Sequence, residues 1–297
     1  MTKVKNTIPV YDICSLGDVN HLLEEIVAEP FGAYLRGHPN LHFPHRHTFY
    51  HIVLFTEGQG YHTIDFEQFP VKAGQIYFMI PGQVHSWSFE GNVDGFVINF
   101  SEDLFRNFLS GNQYLEQFAF LRGIANESVI QVPGNKFSEI VATVTKIADE
   151  VRLKRPFGID MARAYLLTLL IEVSRGNTMG VTTNAPQQNQ LVLYNFRKLV
   201  DQYFAEKRLP KEYAAMLYVT PNHLNALCND LPGKPAGEVI RDRILLEAKR
   251  LLINADLGIQ EIAYRLNFSD NAHLTKFFKK NTNLTPEEFR KSSLIKH

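Results

Sequence analysis

The 297-residue chain is 45% hydrophobic and 21% charged, with 31 Lys and Arg against 31 Asp and Glu; this is the composition of a soluble globular protein of two moderate domains. Its longest nearly apolar run, YLLTLLIEV at 165–173, is far below the ~20 residues of a membrane span. The opening MTKVKNTIPVYDIC has no apolar signal core, so neither secretion nor a membrane partner is expected.

Only two cysteines occur, Cys14 and Cys228, without metal-type spacing, which points to a reduced, cytoplasmic setting. The zero net charge hides an asymmetry. Residues 1–186 carry 14 basic against 19 acidic residues, a balance of −5, and residues 187–297 carry 17 against 12, a balance of +5. A split of this kind fits a second half that meets a polyanion.

Between about 30 and 100, the segments FGAYLR, HIVLFTEG, GYHTIDF, GQIYFMIPG and GFVINF are rich in Val, Ile, Tyr and Phe and are punctuated by glycine. Short strands at close spacing predict a β-barrel or sandwich. Within this region FPHRHTFYH at 43–51, read as an extended strand, turns His45, His47, Phe49 and His51 to one face. Three imidazoles on one wall suit a metal site, or a pocket whose lining is partly apolar and partly hydrogen-bonding.

Next, Phe137, Ile140, Val141, Val144, Ile147 and Val151 recur at helical spacing. The following segment, 159–174, is apolar nearly all round and must be buried on more than one side. These helices either cap the barrel or associate with a second copy. RGNTMGVTTNAPQQNQ at 175–190 has linker composition. The expected organisation is a sensor and dimerisation domain over 1–175, a linker over 176–190, and an all-helical domain over 191–297.

In that last domain AGEVIRDRILLEAKRLLIN (236–254) reads as one long amphipathic helix, flanked by two copies of an internal repeat. EYAAMLYVTPNHL runs from Glu212 to Leu224, and EIAYRLNFSDNAHL from Glu261 to Leu274. Glu212, Ala214, Leu217, Val219 and Thr220 match Glu261, Ala263, Leu266, Phe268 and Ser269 at a constant offset of 49. Each copy reads as helix, tight break, helix. Thr220 and Ser269 or Asp270 are placed as N-caps, and the alanines sit where two helices must cross closely. This is helix-turn-helix grammar, with the second helix offered to the DNA major groove. In DNAHLTKFFKKN, Leu274, Phe277 and Phe278 fall inward, while Asn271, Ala272, Thr275, Lys276 and Lys279 fall outward, with groups suited to base edges and phosphates.

The second copy and its tail, AKRLLINADLGIQEIAYRLNFSDNAHLTKFFKKNTNLTPEEFR, resemble the AraC/XylS family of bacterial transcription regulators over 43 contiguous residues. The shared features are EIA, the Leu-x-Phe turn, the Phe-Phe-Lys-Lys close and Thr-Pro-Glu-Glu-Phe-Arg. The resemblance implies two helix-turn-helix units joined by a long helix, double-stranded DNA as partner, a homodimer, and contact with RNA polymerase. By position it assigns base-facing roles to Asn222, Asn225 and Ala226 in the first unit and to Asn271, Ala272, Thr275 and Lys276 in the second. This chain departs from the pattern in having no Lys or Arg between 212 and 233, and in Asn267 and Asn283 standing where relatives carry glycine. The second unit is therefore expected to supply more of the affinity.

The amino-terminal half resembles the cupin-like barrel that many such regulators carry as a sensor, through PHRHTFYH with EGQGYHTID and AGQIYFMIPGQVHSW. The implied fold is a two-domain α+β chain: a cupin-like β-barrel with flanking helices, then the helical DNA-binding domain. The implied function is regulation of transcription by a small-molecule effector, without enzymatic activity. His45, His47, His51, Phe78, His85 and Trp87, with Arg36 beside them, are the expected effector wall, and His42 and His62 are read as surface or satisfied residues. No cofactor is expected. The competing reading is a cupin metalloenzyme, a dioxygenase or isomerase, with a transition metal on His45, His47, His51 and His85.

Overall fold

The computed structural model describes residues 8–16, 25–106, 112–176, 187–230, 233–253 and 257–295. They divide into two compact units, one running from Ile8 to Val181 and one containing Thr182–His297. The expected linker falls largely outside the described residues, and the helix that follows already begins at Gln187.

Among the described residues the first unit has ten strands: β1 (Val10–Tyr11), β2 (Ile26–Pro30), β3 (His45–His47), β4 (Tyr50–Glu57), β5 (Gly60–Ile64), β6 (Glu67–Pro70), β7 (Gln75–Met79), β8 (Val84–Phe89), β9 (Asp94–Phe100) and β10 (Val129–Gln131). They form two five-stranded sheets, ordered β1-β3-β8-β5-β6 and β10-β7-β4-β9-β2. Helices α1 (Phe31–Gly37), α2 (Gly134–Leu153) and α3 (Gly158–Gly176), with short 3-10 turns between the strands, pack against them.

The second sheet is covered on both faces, which explains why its central strand reads YHIVLF without polar alternation. Val53 and Phe55 of β4 point into the barrel with Tyr77, Met79 and Val97. Tyr50, Ile52 and Leu54 point out, into a layer made by Ile140, Val144 and Ile147 of α2 and Leu166, Leu169 and Leu170 of α3. The apolar stripes of α2 and α3 are thus used in capping this sheet. Backbone packing in the sheet is tight at Gly95, where a Cβ would lie 1.9 Å from the Leu54 carbonyl oxygen; only glycine fits there.

FGAYLR, expected as a strand, is helix α1. Phe31 and Tyr34 are both fully buried in the barrel core. Three residues apart, they share one side of a helix but would take opposite faces of a strand. The segment 43–51 also departs from a single strand. It breaks at Thr48 and Phe49, so that β3 belongs to one sheet and β4 to the other.

The second unit contains α4 (Gln187–Tyr203), α5 (Pro210–Met216), α6 (Pro221–Asp230), α7 (Ala236–Leu252), α8 (Ile259–Arg265), α9 (Asn271–Thr282) and α10 (Pro286–Ile295). Its core joins Ala214 and Leu224 of the first repeat to Ile240, Ile244 and Ala248 of α7 and to Ala263, Leu274 and Phe278 of the second repeat. One apolar cluster therefore runs through both helix pairs and the long helix between them. The tail closes on a reciprocal cap: the Glu288 carboxylate accepts from the Thr285 backbone N–H at 2.7 Å, and Thr285 Oγ1 accepts from the Glu288 N–H at 3.2 Å.

Candidate functional site

In the barrel, His45 and His47 come from β3, His51 from β4, His62 from β5, and His85 and Trp87 from β8; each is at most 4% exposed. Strand pairing sets His45 opposite His85 and His62 opposite Trp87 across the first sheet, while His51 reaches in from the second. The His45 ring lies 4.7 Å from His47 and 4.2 Å from His85, centroid to centroid, and His47 and His51 are 4.9 Å apart. Trp87 sits 5.1 Å from His85.

Two rings are oriented by hydrogen bonds on their outer nitrogens. His45 Nδ1 meets the Phe43 carbonyl at 2.7 Å, which must be the acceptor, and His51 Nδ1 meets the Asn99 side-chain oxygen. His62 Nε2 and His85 Nδ1 lie 3.1 Å apart and share one proton. The remaining nitrogens, namely His45 Nε2, His51 Nε2, His85 Nε2, His62 Nδ1 and both of His47, are buried without a partner from the protein itself, as is Trp87 Nε1. An unpaired buried polar group costs ~1–3 kcal/mol, so this interior concentrates unmet polar groups at a cost that a bound ligand would relieve. Burial also holds the rings neutral. It lowers His45 to about 4 and His51 to about 3, and depresses His47, His62 and His85 well below the usual imidazole range.

Three expectations for this wall change. Phe78 is buried, but on the opposite face of β7, where its ring stacks on Phe120 at 4.1 Å within the helix-facing layer. Its neighbours Tyr77 and Met79 are the inward residues, because the strand alternates. Arg36 is exposed at the end of α1. His62, read as a surface or satisfied residue, is fully buried and belongs to the cluster. The alternation of His62 with Ile64 in GYHTIDF was the signal for it. His42 is exposed, as expected.

In the second unit the turn between α5 and α6 and the turn between α8 and α9 are built on the repeated residues. Ala214 and Ala263 are buried at the crossings. Thr220 Oγ1 accepts from the His223 N–H at 3.1 Å, and Asp270 accepts from the His273 N–H at 2.7 Å, so Asp270 rather than Ser269 caps α9. Asn267 and Asn283 take left-handed backbone conformations with φ of 55° and 63°, which asparagine tolerates. Tyr218, the equivalent of Asn267 in the first copy, has φ 55° and is 96% exposed.

On α9, Asn271, Ala272, Lys276 and Lys279 are exposed and Thr275 is half-buried; on α6, Asn222 and Ala226 are exposed. Asn225 is different. It is half-buried, and its side-chain oxygen accepts from the Ala236 N–H at 3.0 Å, tying α6 to the start of α7. Part of the positive charge of this half is also committed internally. The Arg208 guanidinium donates to the carbonyls of Leu266 and Asn267 and lies 4.0 Å from the Phe268 ring centroid. Arg290 donates to Leu252 and Leu257, and Arg243 pairs with Asp201 and Glu247.

A family model described as an AraC-like ligand binding domain matches residues 31–153, and one described as a helix-turn-helix domain matches 213–292; together they span more than half of the chain. The HTH-type transcriptional activator RhaS of Salmonella schwarzengrund is 25% identical over 260 residues, covering 85% of this chain and 89% of RhaS. RhaS of Salmonella typhimurium matches to the same extent. Among solved structures, ToxT from Vibrio cholerae aligns with a TM-score of 0.43 at 12% identity, over 90% of this chain and 98% of ToxT. An AraC-type DNA-binding domain protein from Chromobacterium violaceum aligns with a TM-score of 0.32 at 22% identity, over 36% of this chain and 95% of its own.

Proposed function

The chain belongs to the AraC family of transcriptional regulators, and on that premise we propose which residues perform the two halves of its task. The family places DNA binding in the helix-turn-helix half and recognition of a small-molecule effector in the barrel half. The proposed DNA surface is Asn271, Ala272, Thr275, Lys276 and Lys279 on α9, with Asn222 and Ala226 on α6 as the weaker partner. Asn225 is withdrawn to a structural role by its bond to Ala236. The observation that carries this assignment is the matched pair of capped helices, each with one apolar face in a shared core and one polar face outward. Such a pair can set two recognition helices against one face of a duplex, where Lys holds phosphates or guanine edges and Asn pairs with adenine.

The proposed effector wall is His45, His47, His51, His62, His85 and Trp87. A ligand there changes DNA binding only if it makes different contacts in two arrangements of the protein. We further propose that the chain works in the cytoplasm as a homodimer that contacts RNA polymerase, and that it is a regulator and not an enzyme. Leu153, Phe157, Ile159 and Met161, exposed around the turn between α2 and α3, supply an apolar surface for the second copy. No helix among the described residues is long and apolar enough to cross a membrane.

Capture of genomic fragments by the purified chain at low ionic strength tests this reading. Selective enrichment of particular promoter regions is expected. Retention of all fragments alike, or of none, with and without extracts of cell metabolites, contradicts it.

A further inference from the structure

The unmet nitrogens of the barrel are arranged, not scattered. The outer hydrogen bonds to Phe43 and Asn99 fix His45 and His51 as Nδ1–H tautomers, so each offers its Nε2 lone pair to the interior. The contact with His62 does the same for His85 when His85 Nδ1 is the donor. His47 has both nitrogens unpartnered and so offers at least one lone pair. Donor nitrogens of His45, His47 and His85 lie within 4.8 Å of one another; His51 stands outside that group, its ring centroid 4.9 Å from His47 and 5.1 Å from His85, and must turn inward to join it. A ring held through one nitrogen while the other points at its neighbours is the arrangement that orients imidazoles for a metal.

Size separates the candidate ligands. Ring centroids 4.2–5.1 Å apart among His45, His47, His51 and His85 leave no slot for an organic molecule between them. A single ion bonded at about 2.0–2.1 Å to each nitrogen can sit there after small ring rotations. The donors are neutral nitrogens, with no carboxylate or thiolate in the group, which disfavours Ca²⁺ and Mg²⁺ and selects borderline ions.

We propose that His45, His47 and His85, with His51 as fourth donor, hold one first-row divalent transition-metal ion of the zinc class, and that this ion is the ligand the barrel reads. The proposal rests on the barrel being the sensor, and it names the sensor's ligand. Asn99 and His62 are positioning residues that aim His51 and His85.

The test uses the full chain, stripped with a chelator and titrated with Co²⁺ as a spectroscopic probe. The expected result is one Co²⁺ per chain with the intense visible absorption of a tetrahedral nitrogen site, displaced by Zn²⁺. His47→Asn and His85→Asn abolish that absorption, Asn99→Leu weakens affinity about 10–100-fold, and His42→Asn leaves it unchanged. Absence of saturable binding, a pale octahedral spectrum, or binding that survives His85→Asn overturns the proposal. The wild-type spectrum decides even if a variant fails to fold. Zn²⁺ should also change promoter-fragment affinity of the stripped protein several-fold. If a metabolite extract changes it and Zn²⁺ does not, the metal proposal falls and the sensor reading stands; if neither does, both fall.

Discussion

The two helix-turn-helix copies share a backbone plan and differ in what hangs on it. Where the second copy buries Phe278, the first buries Cys228, and both side chains are fully enclosed; burial pushes the Cys228 thiol up to about 11, so it serves as a small inert filler. Where the second turn uses Asn267 in the left-handed region, the first uses Tyr218. Where α9 exposes Lys276, Lys279 and Lys280, the stretch 212–233 that contains α6 has no Lys or Arg. The lesson is that a duplicated fold keeps its apolar crossings while the outward chemistry diverges. Under the proposed assignment, the lysine-bearing copy holds the polyanion and the other sets register.

Substitutions at matched positions sharpen or break that contrast. Phe278→Ala should cost about 3–5 kcal/mol in denaturant unfolding of the second unit, because a fully buried ring leaves a cavity. Cys228→Ala at the matching position should cost far less, and equal losses would contradict the asymmetry in packing. Arg208→Ala should cost about 1.5–3 kcal/mol in the same assay, since it removes charged hydrogen bonds to the second turn and exposes the Phe268 face. An unchanged stability would mean that this clamp contributes nothing.

Lys276→Ala should weaken binding to the preferred promoter fragment by ~1–3 kcal/mol, with altered preference at one base pair if it reads a base edge; a uniform loss across sequences would make it a phosphate contact. Tyr218→Asn should raise stability by about 1 kcal/mol, because a left-handed conformation costs a tyrosine roughly that much more than an asparagine. A loss of stability would show that the exposed ring does something the isolated chain conceals.

The helical half was the more legible in sequence. Its repeat shows directly which residues are inside, since Ala214 recurs as Ala263 and Leu224 as Leu274, and each is buried. What sequence could not show there was capture of a polar residue by a distant backbone group, as with Asn225 and Ala236. The barrel was harder. Its second sheet is buried on both faces, so alternation gave no sign that Phe78 faces the helices while His51 and Tyr77 face the interior. The convergence of His45, His47 and His51 was readable, although the chain reaches it by passing from one sheet to the other. His62 carried its own signal, one strand position from Tyr61, but its partner His85 is 23 residues away and only strand pairing unites them.

The most direct check on the central claim is the salt dependence of affinity for a promoter fragment, measured for the wild type, for Lys276→Ala/Lys279→Ala/Lys280→Ala, and for Asn222→Ala. Every phosphate that a removed lysine no longer neutralises should flatten the log–log slope by about 0.9. The account predicts a slope flatter by about 2–3 for the triple variant, and an unchanged slope with weaker affinity for Asn222→Ala. An unaltered slope in the triple variant would contradict the claim that the second helix pair holds the duplex.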